Sequence, residues 1–187
     1  MKDVCTGSQT VGPFFRIGLD YLFGQTAEQQ AAGSLTVRGL VLDANRNPVP
    51  DAMIELWYAD PAGRYATEPS QAGTLPGCLS PGFARVDTAD DGTFGFSLVK
   101  PGPVPFDDSR TQAPHVEVLF FARGLLRHMI TRMYFPGEAA NAADPVLQSV
   151  PENRRATLIA QPDPQHPDSL LWNIVLQGEQ ETVFFAW

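Results

Sequence analysis

From Lys100 to Pro114 the chain is a loop dense in proline and glycine, and from His115 to Ala122 it is an apolar run, His115-Val-Glu-Val-Leu-Phe-Phe-Ala122. Side chains on a strand alternate faces with period two. His115, Glu117, Leu119 and Phe121 therefore share one face, and Val116, Val118, Phe120 and Ala122 the other. A run apolar on both faces is a central strand of a sheet. This one commits the chain to a sheet fold whose interior contains it. An imidazole and a carboxylate at the entry of such a strand form either a satisfied internal pair or part of a site.

The remaining pattern is of the same kind. Ser34–Leu42 alternates, and Asp43–Pro50 carries turn chemistry. Ala52–Tyr58 is the next strand, with Met53, Glu55 and Trp57 on one face and Ile54, Leu56 and Tyr58 on the other. Phe83–Asp87 and Thr93–Val99 follow around the turn Ala89-Asp-Asp-Gly92. The stretch from Ala66 to Pro81 reads as a long irregular loop. Gly124–Phe135 is apolar with basic punctuation, and Arg132 and Tyr134 share a face if it is strand. Thr157–Ala160 and Ser169–Leu176 read as late strands, with a short helix over Asn141–Gln148 before them. The aromatic end, Glu181–Trp187, reads as packed.

Seventeen prolines and sixteen glycines supply the tight connections such a pattern needs. The expected fold is all-β: a β-sandwich of about seven to eight strands with long loops and an N-terminal arm. The division expected is residues 1–33 for the arm and a short helix (Ala27–Ala32, ending at Gly33), and 34–187 for the sandwich. In the arm, Gly12-Pro13 makes a turn, and Phe14 and Phe15 seek burial on this chain's core or on a partner.

A net charge of -8 disfavours a nucleic-acid partner, because phosphate binding needs a basic surface. No apolar core of a leader is visible after Met1, and no run of eighteen apolar residues spans a membrane. The location expected is cytoplasmic, with Cys5 and Cys78 as free thiols.

Several segments in order carry a family resemblance. Pro48–Tyr65, Asp91-Gly-Thr-Phe-Gly-Phe96, Lys100-Pro-Gly-Pro-Val-Pro105, Pro114-His-Val-Glu-Val118 and Thr131-Arg-Met-Tyr-Phe135 resemble the intradiol ring-cleavage dioxygenases. Ser8–Phe15 and Leu119–Leu126 resemble, more narrowly, the alpha-type chain of a two-subunit member. The resemblance implies a ferric ion held by two Tyr and two His. Tyr65 matches the first Tyr, but Val104 stands at the second. The His-x-His entry reads His115-Val-Glu117, and Gln112 replaces an Arg three residues before the first His. Valine has no lone pair to offer ferric iron.

The resemblance therefore implies a chain without its own iron. Fe(III) would be held by a homologous beta subunit within a higher αβ oligomer acting on a small aromatic substrate. It implies that Thr10, Gly12 and Pro13 on the arm, and Arg132 near the substrate's carboxylate, complete that subunit's pocket across the interface. The residues leave alternatives open. Arg132 amid apolar neighbours needs an anion, which an internal Asp or Glu also provides. Tyr65, His115 and Glu117 make a three-donor set for a self-contained metal enzyme. A β-sandwich binding module without a catalytic partner is the third reading.

Overall fold

The computed structural model describes residues 7–12, 17–18, 33–65 and 82–186. Two sheets carry the fold. In the first, β1 (Ser34–Leu42) pairs antiparallel with β4 (Thr93–Val99) on one edge. On its other edge it pairs in parallel with β10 (Ser169–Leu171) and then β11 (Ile174–Val175), and β9 (Gln161–Pro162) lies beyond β10. The second sheet runs β3 (Phe83–Asp87), β2 (Met53–Tyr58), β7 (His115–Phe121), β8 (Met129–Tyr134), all neighbours antiparallel.

The core lies between the sheets. Val37, Val41, Phe94, Phe96, Trp172 and Ile174 from the first meet Ile54, Leu56, Val86, Val116, Val118 and Phe120 from the second. These are alternate positions along each strand, as the period of two requires. β7 is central, as its sequence predicts: its even-numbered side chains are fully buried, while Glu117, Leu119 and Phe121 on the opposite face are half-buried. The all-β sandwich is thus the observed architecture. Of eleven strands among the described residues, four are only two residues long, leaving seven of substance.

Four readings of the chain need correction. The loop from Lys100 to Pro114 contains a small hairpin, β5 (Val104–Pro105) with β6 (Thr111–Gln112). Thr157–Ala160 is no strand: Ala156–Leu158 is a 3-10 turn, and only Ile159 bridges to Tyr134. Ser169–Leu176 is broken at Trp172-Asn173, where the Asn173 side chain accepts from the Leu40 N–H at 2.9 Å and interrupts the ladder. The expected helix over Asn141–Gln148 is a 3-10 turn, Ala139–Ala142, followed by a helix at Pro145–Ser149. The C-terminal aromatics Phe184 and Phe185 pack on the core, as expected. Pro13, Phe14, Phe15, the helix over Ala27–Ala32, both cysteines and Ala66–Pro81 lie outside the described residues. Among the described residues, no helix is long and apolar enough to cross a membrane.

Candidate functional site

The outward face of the second sheet carries the polar residues. The register aligns Phe83, Trp57, Glu117 and Arg132 in one row across four strands, with His115 opposite Tyr134 one step along. The loop after β2 brings Tyr65 to this face. Asp60 organises that loop: its carboxylate accepts the N–H groups of Ala62 and Arg64, each at 2.9 Å, and the Arg64 guanidinium at 2.8 Å. The Asp60 carbonyl accepts the Gly63 and Gly102 N–H groups, each at 2.9 Å. Gly63 has φ +77°, and its backbone lies against the Pro103 carbonyl, leaving no room for a Cβ. This contact draws the Tyr65 loop against the segment carrying Val104.

His115 is buried, and its hydrogen bonds define its tautomer. Nδ1 lies 2.8 Å from the Ala113 carbonyl, which only accepts, so Nδ1 carries the proton. Nε2 then presents a lone pair to the Tyr65 hydroxyl at 3.4 Å. Burial, and next the Arg132 guanidinium, lower the His115 pKa and hold the ring neutral. Burial, and then the Glu117 carboxylate, raise the Tyr65 pKa and hold it as a phenol. Ala113 is itself fixed by Asp144, whose Oδ2 accepts its N–H at 2.7 Å. Oδ1 of Asp144 caps the helix Pro145–Ser149 and accepts the Tyr134 hydroxyl at 3.0 Å.

Arg132, 7% exposed, finds its anion within the chain. Its Nη2 bonds Glu117 Oε1, and its Nη1 donates to Gln112 Oε1 at 2.8 Å. Glu117 Oε1 also lies 3.9 Å from His115 Nε2. Beside this pair opens a groove of about 490 Å³, walled by Trp57, Phe106, Leu119 and Ile130, with Glu117 and Arg132 in its floor.

The structure thus brings together Tyr65, His115, Glu117 and Arg132, with buried Val104 paired to Gln112 in the hairpin alongside. These residues do not suit ferric iron. Val104 offers no donor, the phenol is held protonated, and the Glu117 charge is already matched by a guanidinium that repels a further cation. The three-donor set therefore exists as a cluster without the chemistry of an iron centre. The described residues 7–12 of the arm lie elsewhere: Thr10 Oγ1 accepts the Gly124 N–H at 2.7 Å, in the turn between β7 and β8. Gln9 and Val11 flank a second cavity there, and Gly12 follows them. Asp144, Trp57 and Phe106 were not singled out from the sequence, although an Asp directly before a Pro is a helix-start signature that marks Asp144.

A family model described as "Dioxygenase" matches residues 20–178. The protocatechuate 3,4-dioxygenase alpha chain of Burkholderia cepacia is 42% identical over 96% of this chain and 96% of its own length. The protocatechuate 3,4-dioxygenase beta chain of the same organism is 31% identical over 79% of this chain and 66% of its own length. Among solved structures, the dioxygenase domain of a carbohydrate-binding fusion from Streptomyces sp. SirexAA-E covers 83% of this chain and 87% of that one. It has a TM-score of 0.61 at 23% identity, a likeness of fold.

Proposed function

Because this chain belongs to the intradiol dioxygenase family, we propose that it is the iron-free alpha-type subunit of a protocatechuate 3,4-dioxygenase. The complex inserts both atoms of O2 into 3,4-dihydroxybenzoate and opens the ring between its hydroxyl-bearing carbons, giving 3-carboxy-cis,cis-muconate. Fe(III) resides on a homologous beta-type subunit. This chain completes the pocket and the assembly.

The observation that carries the reading is Val104, an aliphatic side chain where the resemblance requires a phenolate, beside a carboxylate neutralised by Arg132. The likeness to the Burkholderia alpha chain over nearly its full length supports the same role. Thr10, Gly12 and Pro13 are proposed to reach the partner's substrate cavity, and Arg132 to act on the substrate's carboxylate. For Arg132 the support is its place in the groove floor, and its pairing with Glu117 implies a moderate contribution.

Reconstitution with a beta-type chain tests the reading. Protocatechuate-dependent O2 uptake is expected from the mixture and not from this chain alone, and uptake by this chain alone would refute the proposal. In the mixture, deleting residues 1–13 is expected to impair association or turnover. Arg132→Gln is expected to raise KM more than it lowers kcat. An unchanged KM would remove Arg132 from the substrate site.

A further inference from the structure

We propose that the pocket at the break in the first sheet, between β10 and β11, binds a small aliphatic carboxylate. It shares no described residue with the groove over Glu117 and Arg132, and it goes beyond the subunit role.

The pocket encloses about 330 Å³, within the range of small-molecule sites. Its apolar lining is mainly aliphatic, from Ile159, Leu171 and Val175. Trp172 also lines it but is 3% exposed, with its indole N–H given to the Thr157 carbonyl at 3.1 Å. It therefore opens no ring face for stacking, and a short alkyl body suits the lining better than a flat ring.

The polar lining consists largely of donors. The Leu40 N–H bonds Asn173 Oδ1 at 2.9 Å, which orients the amide and leaves Nδ2 as a donor without an acceptor among the described residues. Thr182 is 1% exposed; its Oγ1 accepts the Val175 N–H at 2.9 Å, and its own proton meets no acceptor among the described residues. Arg46 supplies the charge. Its Nη2 donates to the Glu179 carbonyl, which ties the turn after β1 to the loop after β11 and leaves Nε and Nη1 for a ligand.

Backbone geometry supports the same reading. Arg46 and Gln180, both lining the pocket, hold positive φ of 64° and 60°. Such backbone is costly outside glycine and collects where side chains are held for a ligand. The turn is braced for it: the Asp43 carbonyl accepts the Arg46 N–H at 3.1 Å, and its carboxylate accepts the Asn45 and Asn47 N–H groups, each at 2.8 Å.

No Asp or Glu is among the described lining residues, and the nearby Glu181 carboxylate lies 3.6 Å from the Arg154 guanidinium. In a chain of net charge -8, a cation among neutral donors reverses the local sign and selects an anion. A carboxylate gains the guanidinium and the neighbouring N–H and O–H donors together. An ammonium meets like charge, and an alcohol gains a hydrogen bond without the ionic partner.

The test is titration of the full chain at pH 7.5 with hexanoate, 1-hexanol and hexylamine, read by isothermal calorimetry and ligand-observed NMR. Hexanoate is expected to saturate with a Kd on the order of 1 mM, and the alcohol and the amine to bind about fivefold more weakly or worse. Arg46→Asn removes the charge and keeps a residue type that tolerates positive φ, and is expected to weaken hexanoate about fivefold. Asn173→Asp keeps an acceptor for the Leu40 N–H but replaces the free donor with negative charge. Hexanoate binding is expected to be lost in it while 1-hexanol changes little, with both variants folded by circular dichroism. Equal affinity for the three ligands, hexanoate affinity unchanged in either variant, or no saturation by hexanoate to about 20 mM would each overturn the proposal. The titration uses neither a partner chain nor iron, so its outcome is separate from that of the reconstitution assay.

Discussion

At the residue scale the site is governed by one buried guanidinium. Removing Arg132 from water is costly unless an anion and acceptors meet it, and Glu117 and Gln112 meet its two terminal nitrogens. Having met them, it sets the charge state of its neighbours: it joins burial in keeping His115 neutral. The sequence shows that Arg132 needs an anion, and the register between β7 and β8 identifies which one. Glu117 stands directly opposite, a pairing invisible until the strands are aligned.

A dependence on pH follows. The folded His115 has a pKa below its ordinary value of about 6.5, so the unfolded chain binds its proton first as pH falls. Stability from this group is present above about 6.5 and is lost as pH falls from there toward the folded pKa, by at most about 1.4 kcal/mol per pH unit. Urea unfolding at pH 7.5 and 5.5 measures it. His115→Gln is expected to lessen the acid loss relative to the unaltered chain, and an identical loss would show that other groups account for it.

At the scale of elements, the site depends on a junction that alternation alone does not reveal. Val37, Ile54 and Val118 announce their strands because period-two burial is written directly in residue type. The hairpin β5–β6 is not announced, since its two-residue strands sit among prolines and are held by the turn in which Asp107 accepts the Ser109 and Arg110 N–H groups. Asp144 is likewise a single residue serving three elements. It caps the helix Pro145–Ser149, holds Tyr134 of β8, and fixes the Ala113 N–H just before β7. Asp144→Ala is expected to destabilise the chain by at least about 2 kcal/mol, from a lost cap and buried donors left unpaired. Denaturant unfolding checks this, and a loss within about 0.5 kcal/mol would place Asp144 among ordinary surface positions.

At the scale of the whole molecule, the chain has the β-sandwich of the intradiol dioxygenase family. The framework that places Tyr65 beside His115 consists of the Asp60-centred loop, the Gly63 contact and the Asp144 junction. On the proposed reading, an isopropyl group and a guanidinium-paired carboxylate stand where iron would need a phenolate and an imidazole. That reading rests on Val104 and Glu117 in the linear chain and on the family resemblance. The groove was not legible there, because Trp57 and Phe106 come from distant segments and meet only in the fold. Iron and visible absorption of this chain purified alone, after exposure to ferric salt and removal of the excess, test the central claim most directly. The account predicts no stoichiometric iron and no phenolate-to-iron band; a full equivalent of iron with that band would contradict it.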